Sequence, residues 1–372
     1  MKKERIQSLE TVKCFAFLGV MFSHSELTVF KAAGHCGVSL FFILSGFLFA
    51  LSYSEKSTLK PSFGNNLRFA VNKVGRLYPT HIVCTVAMAV FCFAGIYRMS
   101  ISRFLVTFLL NIFVIQGWFP LNDSSICGPS WYLCAYFFAC FVFPWTAFFN
   151  TALGKRKAIR NILLSLIIQL IIGLAGSVIP AAEYSTVMWI TNDITKWFVY
   201  YFPLSRIFDF FIGMNLFVLF RENESKHTSK KMTVAEGTGL MLLIAAQLIA
   251  VIFTRNDVES ISHPEHWWSL VLVFTAGSAI TVYSFAANRG FFSKTLTNKL
   301  TAKVAGYSAH GFLLHFVIYN YIKAIVLILP ESGFSAMLES NLGFIRLIFG
   351  TALTFATVKI WETLTEKILK QL

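Results

Sequence analysis

Apolar runs of about 17–25 residues, long enough to cross a hydrocarbon core roughly 30 Å thick, recur along the chain from end to end. Ten of them read as membrane spans: residues 12–30, 36–53, 77–96, 130–149, 161–182, 198–220, 234–253, 267–287, 304–329 and 342–361. A further stretch, RFLVTFLLNIFVIQGW at 103–118, is apolar enough to cross as well. Its crossing would carry GKRKAIR (154–160) and every later basic loop to the other side, so it reads as a re-entrant or interfacial helix on the outer side. The pattern predicts an all-α integral membrane protein, a bundle of about ten transmembrane helices plus one re-entrant or interfacial helix. No polar stretch exceeds about two dozen residues, so 1–372 is expected to be a single transmembrane domain without a separate soluble one. The first run does not read as a cleavable signal, because apolar segments follow throughout and no small-residue cleavage site precedes the next one.

Composition agrees. The 372 residues are 56% hydrophobic and only 13% charged, where a soluble protein would carry about a quarter charged residues. A net charge of +14 would suggest nucleic acid in a soluble protein; here topology explains it. With the N-terminus inside, the cytoplasmic segments hold 23 Lys and Arg and the outer loops only five: Lys31, Arg98, Arg103, Lys196 and Arg255. Both termini are therefore expected in the cytoplasm. The bilayer is the implied partner and nucleic acid is not; oligomeric state is not readable.

The seven cysteines add little. Cys14, Cys84, Cys92, Cys134 and Cys140 lie in or beside spans, where cysteine behaves as a small apolar residue. Cys36 and Cys127 fall near the outer face and could pair there. No CxxC or His/Cys spacing suggests a metal, and no internal repeat, GxGxxG or P-loop is present.

The informative residues are the ionisable ones inside apolar runs, since a charge at a bilayer centre costs roughly 2.5–3.5 kcal/mol even on insertion scales. The first span carries Lys13, His24 and Glu26, with Glu10 just ahead of it. Lys13 and His24 are three helical turns apart, on one face and about 16 Å distant along the axis. With Lys13 at the cytoplasmic boundary, His24 lies at mid-membrane or slightly beyond, either as a buried, hydrogen-bonded histidine or as a general base. Gly34, Gly37, Ser39, Ser45 and Gly46 in the second span suit close helix packing, and His35 lies at its outer mouth. The following segment, NNLRFAVNKVGRLYP (65–79), carries Arg68, Lys73 and Arg76. It suits anionic lipid, and equally a phosphorylated cytosolic ligand. Arg206 and Asp209, one turn apart, are placed to neutralise each other. His310 and His315, five apart, point to different faces and need not share a job. Lys323 and Arg346 are expected to snorkel to the outer surface.

In order along the chain, these segments resemble the acyltransferase-3 family of membrane acyltransferases. RIQSLETVKCFAFLGVMFSH (5–24) is similar to that family's first span, with an acid, a base and a histidine eleven positions after the base. GVSLFFILSGFL (37–48) is the most specific match. KVGRLYP (73–79), PSWYLCAYFFACFVFP (129–144) and GYSAHGFLLHFVI (306–318) resemble its later motifs. Three positions depart from the pattern: Lys13 and Lys73 stand where the family usually has Arg, and Tyr136 stands where it usually has Glu. The Lys positions keep charge but lose the bidentate fork. Glu26 is a candidate to supply the missing carboxylate.

The resemblance implies a bacterial cytoplasmic (inner) membrane protein moving an acyl group, by default acetyl, from cytosolic acyl-CoA to a hydroxyl of a sugar in a surface or exported polysaccharide. Acetyl-CoA is then a co-substrate, with no bound cofactor. Lys13, Arg68, Lys73 and Arg76 would hold the donor polyanion, and His24, with Glu26 nearby, would do the chemistry. Glu10, Arg206 and His315 are further candidates. A glycan or lipid-linked sugar transporter is one rival reading, opposed by the lack of repeats and of matched broken helices. A catalytically inactive relative acting as a partner subunit is the other.

Overall fold

The computed structural model describes residues 6–53, 60–93, 100–121, 125–150, 154–178, 194–256 and 264–371. Arg98 and the end of the span predicted at 161–182 lie outside them. The long elements are α1 (Gln7–Ser23), α2 (Ala33–Tyr53), α3 (Phe63–Val74), α4 (Tyr78–Phe93), α5 (Ile101–Ile112), α6 (Trp131–Asn150) and α7 (Lys155–Val178). They continue with α8 (Pro203–Glu222), α9 (Ser229–Asn256), α10 (Pro264–Ala286), α11 (Lys299–Leu327) and α12 (Thr351–Gln371). The last is entered through the short helix Leu342–Ile345 and a π-turn at Arg346–Gly350. Among the described residues seven helices are long and apolar enough to cross a membrane, or eight if the bent pair α3–α4 is one span. α1, at 17 residues, and the apolar stretch Leu272–Ala286 of α10 occupy two further predicted positions.

The faces are inverted relative to a soluble bundle. α7 turns Leu163, Ile167 and Ile171 outward, and α9 exposes Met241, Ile244 and Leu248, as lipid solvation requires. Inside, α2 and α8 approach until a Cβ at Gly46 would meet the Phe210 carbonyl and one at Gly213 the Ile43 carbonyl. These small residues permit the contact. One end of the bundle is basic. There Thr11 Oγ1 of α1 lies 3.1 Å from Thr297 Oγ1, just ahead of α11, and the Lys155 N–H at the start of α7 donates to Glu222 at the end of α8 (2.8 Å).

α3 has no counterpart in the sequence reading. The segment 54–76, expected as a cytoplasmic loop, contains α3, capped by Ser62, whose hydroxyl accepts from the Asn65 N–H (3.2 Å). α3 climbs α6: Asn66 donates to the Phe141 carbonyl (2.8 Å), and Val74 packs against Leu133 and Cys134. The chain then bends by 64° into α4, whose Thr80 Oγ1 lies 2.7 Å from His310 Nδ1. His310 is eleven residues into α11, about 16 Å above its basic end, so the break at Gly75–Leu77 sits at mid-height. Phe63, Leu67 and Val71 are exposed on the outer face of α3. An amphipathic helix with two cations, Arg68 and Lys73, reads as a loop on hydropathy alone.

The segment predicted as re-entrant is α5 with the turn that follows. α5 doubles back along α4 until the Tyr78 hydroxyl donates to the Ile112 carbonyl (2.9 Å) and His81 Nε2 donates to the Asn111 carbonyl (2.8 Å). Its 12 residues rise about 18 Å, too little to cross. Gln116 then ties the turn to the Ser130 carbonyl (3.0 Å), where α6 begins. Cys36 and Cys127, which could have paired near the outer face, do not: both are free thiols, and Cys127 is buried under α11 with its Sγ toward the Leu313 carbonyl.

Candidate active site

α1 does not continue through Ser23–Glu26 as the predicted span 12–30 supposed; it ends there. Ser23 Oγ donates to the Val20 carbonyl (2.7 Å) and Ser25 Oγ to the Phe22 carbonyl (2.7 Å), so these short side chains take the carbonyls that further helix would use. His24 is the cap residue. Glu26 then adopts φ 71°, a left-handed conformation that costs a non-glycine residue about 1–3 kcal/mol.

The cap delivers His24 to α11. Its Nδ1 is 2.8 Å from the Val20 carbonyl and 3.2 Å from His315 Nε2. His315 is fully buried, and its Nδ1 donates to the Gly311 carbonyl (3.0 Å). These contacts assign the tautomers: His315 carries its proton on Nδ1 and presents the Nε2 lone pair, and His24 carries its proton on Nδ1, shared between the Val20 carbonyl and His315. The Nε2 lone pair of His24 is left available as a base. When that nitrogen takes a proton, the Nδ1–H already faces two acceptors that stabilise the imidazolium. The Phe316 ring stands edge-on to His24 at 5.4 Å and fixes its plane. His315 thus joins His24, a partnership that spacing within one helix did not reveal.

Below the dyad, toward the basic end, lies a cavity of about 140 Å³. Lys13, Ser45, Leu77, Tyr132, Tyr136 and Phe312 contribute to its wall. It reaches Leu313, two residues from His315. Lys13 therefore opens onto the interior, and the α3–α4 break reaches the same space through Leu77. Glu10 is partly buried in the first turn of α1, one turn below Lys13. Lys73 leaves the predicted loop altogether: its ammonium sits 5.0 Å from the Phe49 ring, 5.3 Å from Tyr53 and 5.2 Å from Phe69, and these faces stabilise the charge. Arg68 and Arg76 are exposed.

The chain matches the model of the acyltransferase domain family (Acyl_transf_3) over residues 6–361. It belongs to the acyltransferase-3 family. It is also similar to Acyltransferase MdmB of Streptomyces mycarofaciens, 23% identical over 349 residues that cover 85% of this chain and 80% of that protein. No solved structure matches. The family is one of acyltransferases, and the transporter reading loses its support.

Within this acyltransferase the remaining candidates separate by geometry. Tyr136, at the position where the family usually has Glu, stacks on Tyr132 (5.9 Å, interplanar 9°) and tilts toward Phe49 (6.2 Å), the ring that also faces Lys73. An aromatic surround stands where a carboxylate beside a cation would be expected. Arg206 lies in a buried structural knot: Nη2 contacts Asp209 Oδ2 (2.6 Å) and Ser39 Oγ (3.1 Å), and Asp209 Oδ1 accepts from Gln169 (2.7 Å) and Thr275 (3.0 Å). That knot ties α2, α7, α8 and α10 together. Glu26 pairs with other side chains instead: its Oε1 accepts from Lys323 Nζ (3.0 Å) and lies 2.8 Å from Arg346 Nη1. Arg346 does not snorkel as expected. It is 2% exposed, with Nε donating to the Tyr319 carbonyl (3.0 Å). Lys323 and Arg346 stand in the sequence as isolated cations in apolar runs, and only the fold brings both to Glu26.

Proposed function

We propose that this acyltransferase moves an acyl group, acetyl by default, from acyl-CoA bound at the basic, cytosolic end to a sugar hydroxyl that reaches His24 from the opposite side of the membrane. The observation that carries this reading is the His24–His315 pair, which leaves one imidazole nitrogen as a poised base directly above an interior cavity. The polyanionic donor is drawn to Lys13, Arg68 and Arg76, with Lys73 as a caged charge beside its path, and its thioester arm follows the cavity toward Leu313. His24 Nε2 removes the acceptor hydroxyl proton as that oxygen attacks the thioester carbonyl. Collapse of the tetrahedral intermediate breaks the carbon–sulfur bond, and the departing thiolate takes the proton back from His24. The products are the sugar ester and free CoA, with the histidine restored. His315 touches neither reactant and acts as a positioning residue.

The test uses purified protein in nanodiscs with acetyl-CoA labelled in the acetyl group and a mixture of bacterial surface polysaccharides. Label on carbohydrate, dependent on protein and reduced by Lys13→Ala with Arg76→Ala, supports the proposal. Intact acetyl-CoA that neither binds nor turns over would favour an inactive partner subunit, the reading to which Tyr136 lends its support.

A further inference from the structure

The cluster just beyond the dyad, toward the far end of the bundle, has a charge imbalance. Arg346 and Lys323 converge on the same oxygen of Glu26, at 2.8 and 3.0 Å, which leaves one carboxylate shared by two cations and a surplus of one positive charge. Arg346 is fixed from behind by the Tyr319 carbonyl, and Tyr319 packs edge-on to the His315 ring (5.7 Å). Its backbone opens the π-turn Arg346–Gly350, an insertion often found at functional sites because it re-aims side chains. Glu26 sits two residues from His24 in a strained conformation, with its side chain 51% exposed and that of Lys323 41% exposed. Two cations are thus gathered on a strained, half-exposed carboxylate that lies two residues beyond the base.

We propose that Glu26, Lys323 and Arg346 form an acceptor subsite for an anionic group, a carboxylate or phosphate carried by the same molecule whose hydroxyl meets His24. The surplus charge attracts the anion, and Lys323, the more exposed cation, swings from Glu26 Oε1 to meet it. Arg346 stays paired with Glu26 and fixes the register between the anion and the hydroxyl. The subsite selects acidic sugars over neutral ones; it rests on the reading of His24 as the acceptor's base.

The test reads binding without donor, so an inactive protein still reports on it. In phosphatidylcholine nanodiscs, methyl glucuronide, glucose 1-phosphate and methyl glucoside are compared as probes. Wild type is expected to bind one of the two acids about tenfold more tightly than the neutral glucoside, with the advantage shrinking in high salt; the tighter acid identifies carboxylate or phosphate. Lys323→Gln, at a half-exposed site that does not threaten folding, is expected to bring the ratio close to one. Glu26→Gln releases both cations and is expected to raise it. Equal binding of all three probes, an unchanged ratio in Lys323→Gln, or a ratio abolished by Glu26→Gln would overturn the proposal. So would loss of the preference in phosphatidylglycerol discs, which would give the cation to a lipid headgroup.

Discussion

Two arginines in this protein are equally hidden, Arg206 at 1% and Arg346 at 2% exposure, and each meets a carboxylate. Their surroundings make them different devices. Arg206 pairs with Asp209, which has no exposure at all and whose other oxygen is filled by Gln169 and Thr275. The Phe42 and Tyr200 rings lie 5.5 and 5.3 Å from its guanidinium. Nothing about that site looks outward. Arg346 pairs with a half-exposed Glu26 on a strained turn and shares it with Lys323. A buried pair whose carboxylate lone pairs are all engaged specifies how helices meet; one that is half-exposed, with charge left over, is what the proposed subsite needs.

The largest difference should appear on removing the acids. Asp209→Ala strands a buried guanidinium and is expected to cost about 3–5 kcal/mol, whereas Glu26→Gln should cost about 1 kcal/mol or less, because Glu26 is half-exposed and the glutamine oxygen still faces Arg346. Thermal unfolding in one detergent measures both, and equal losses would erase the distinction between the two sites. A smaller effect is expected at the dyad's partner. His315→Gln keeps a polar group near His24 but not the imidazole lone pair, and should lower kcat about 10–100-fold with KM for acetyl-CoA little changed. A KM effect instead would place His315 in donor binding. The smallest effect lies in the basic-end loop, at His227, whose Nε2 is 2.9 Å from the Tyr283 hydroxyl. Burial, and then the Arg289 guanidinium, hold its pKa below the ordinary 6.5 against the opposing pull of Glu224. A histidine disfavoured as a cation contributes stability that is complete above its unfolded value and is lost as pH falls below it. His227→Gln should therefore flatten the fall in unfolding midpoint between about pH 7 and 5, by roughly 2 °C or less.

Much of this was legible in the chain. The ten apolar runs each correspond to a helix or a bent helix pair, because span length and lipid-facing composition leave few alternatives. Charge asymmetry alone set 103–118 apart from the spans, and α5 there is a short apolar helix. The family resemblance was legible from the motifs alone, and it singled out His24 and Lys13 as candidates. What escaped depends on tertiary neighbours. α3 has a polar side only because α2 and its own Phe69 supply aromatic faces for Lys73. The end of α1 at His24 depends on Ser23 and Ser25 competing for carbonyls inside an apolar run. The meeting of His24 with His315, 291 residues apart in sequence, and of Glu26 with Lys323 and Arg346, required the helices to be placed first.

Acyl transfer with His24 as the base stands or falls on a single comparison: the rate at which purified wild type and His24→Ala move labelled acetyl from acetyl-CoA to carbohydrate, with unfolding midpoints measured in parallel. The expected result is a loss of at least about 10²-fold in a variant that unfolds at the wild-type temperature. A folded His24→Ala protein with undiminished transfer would contradict it, and the base would have to be sought elsewhere.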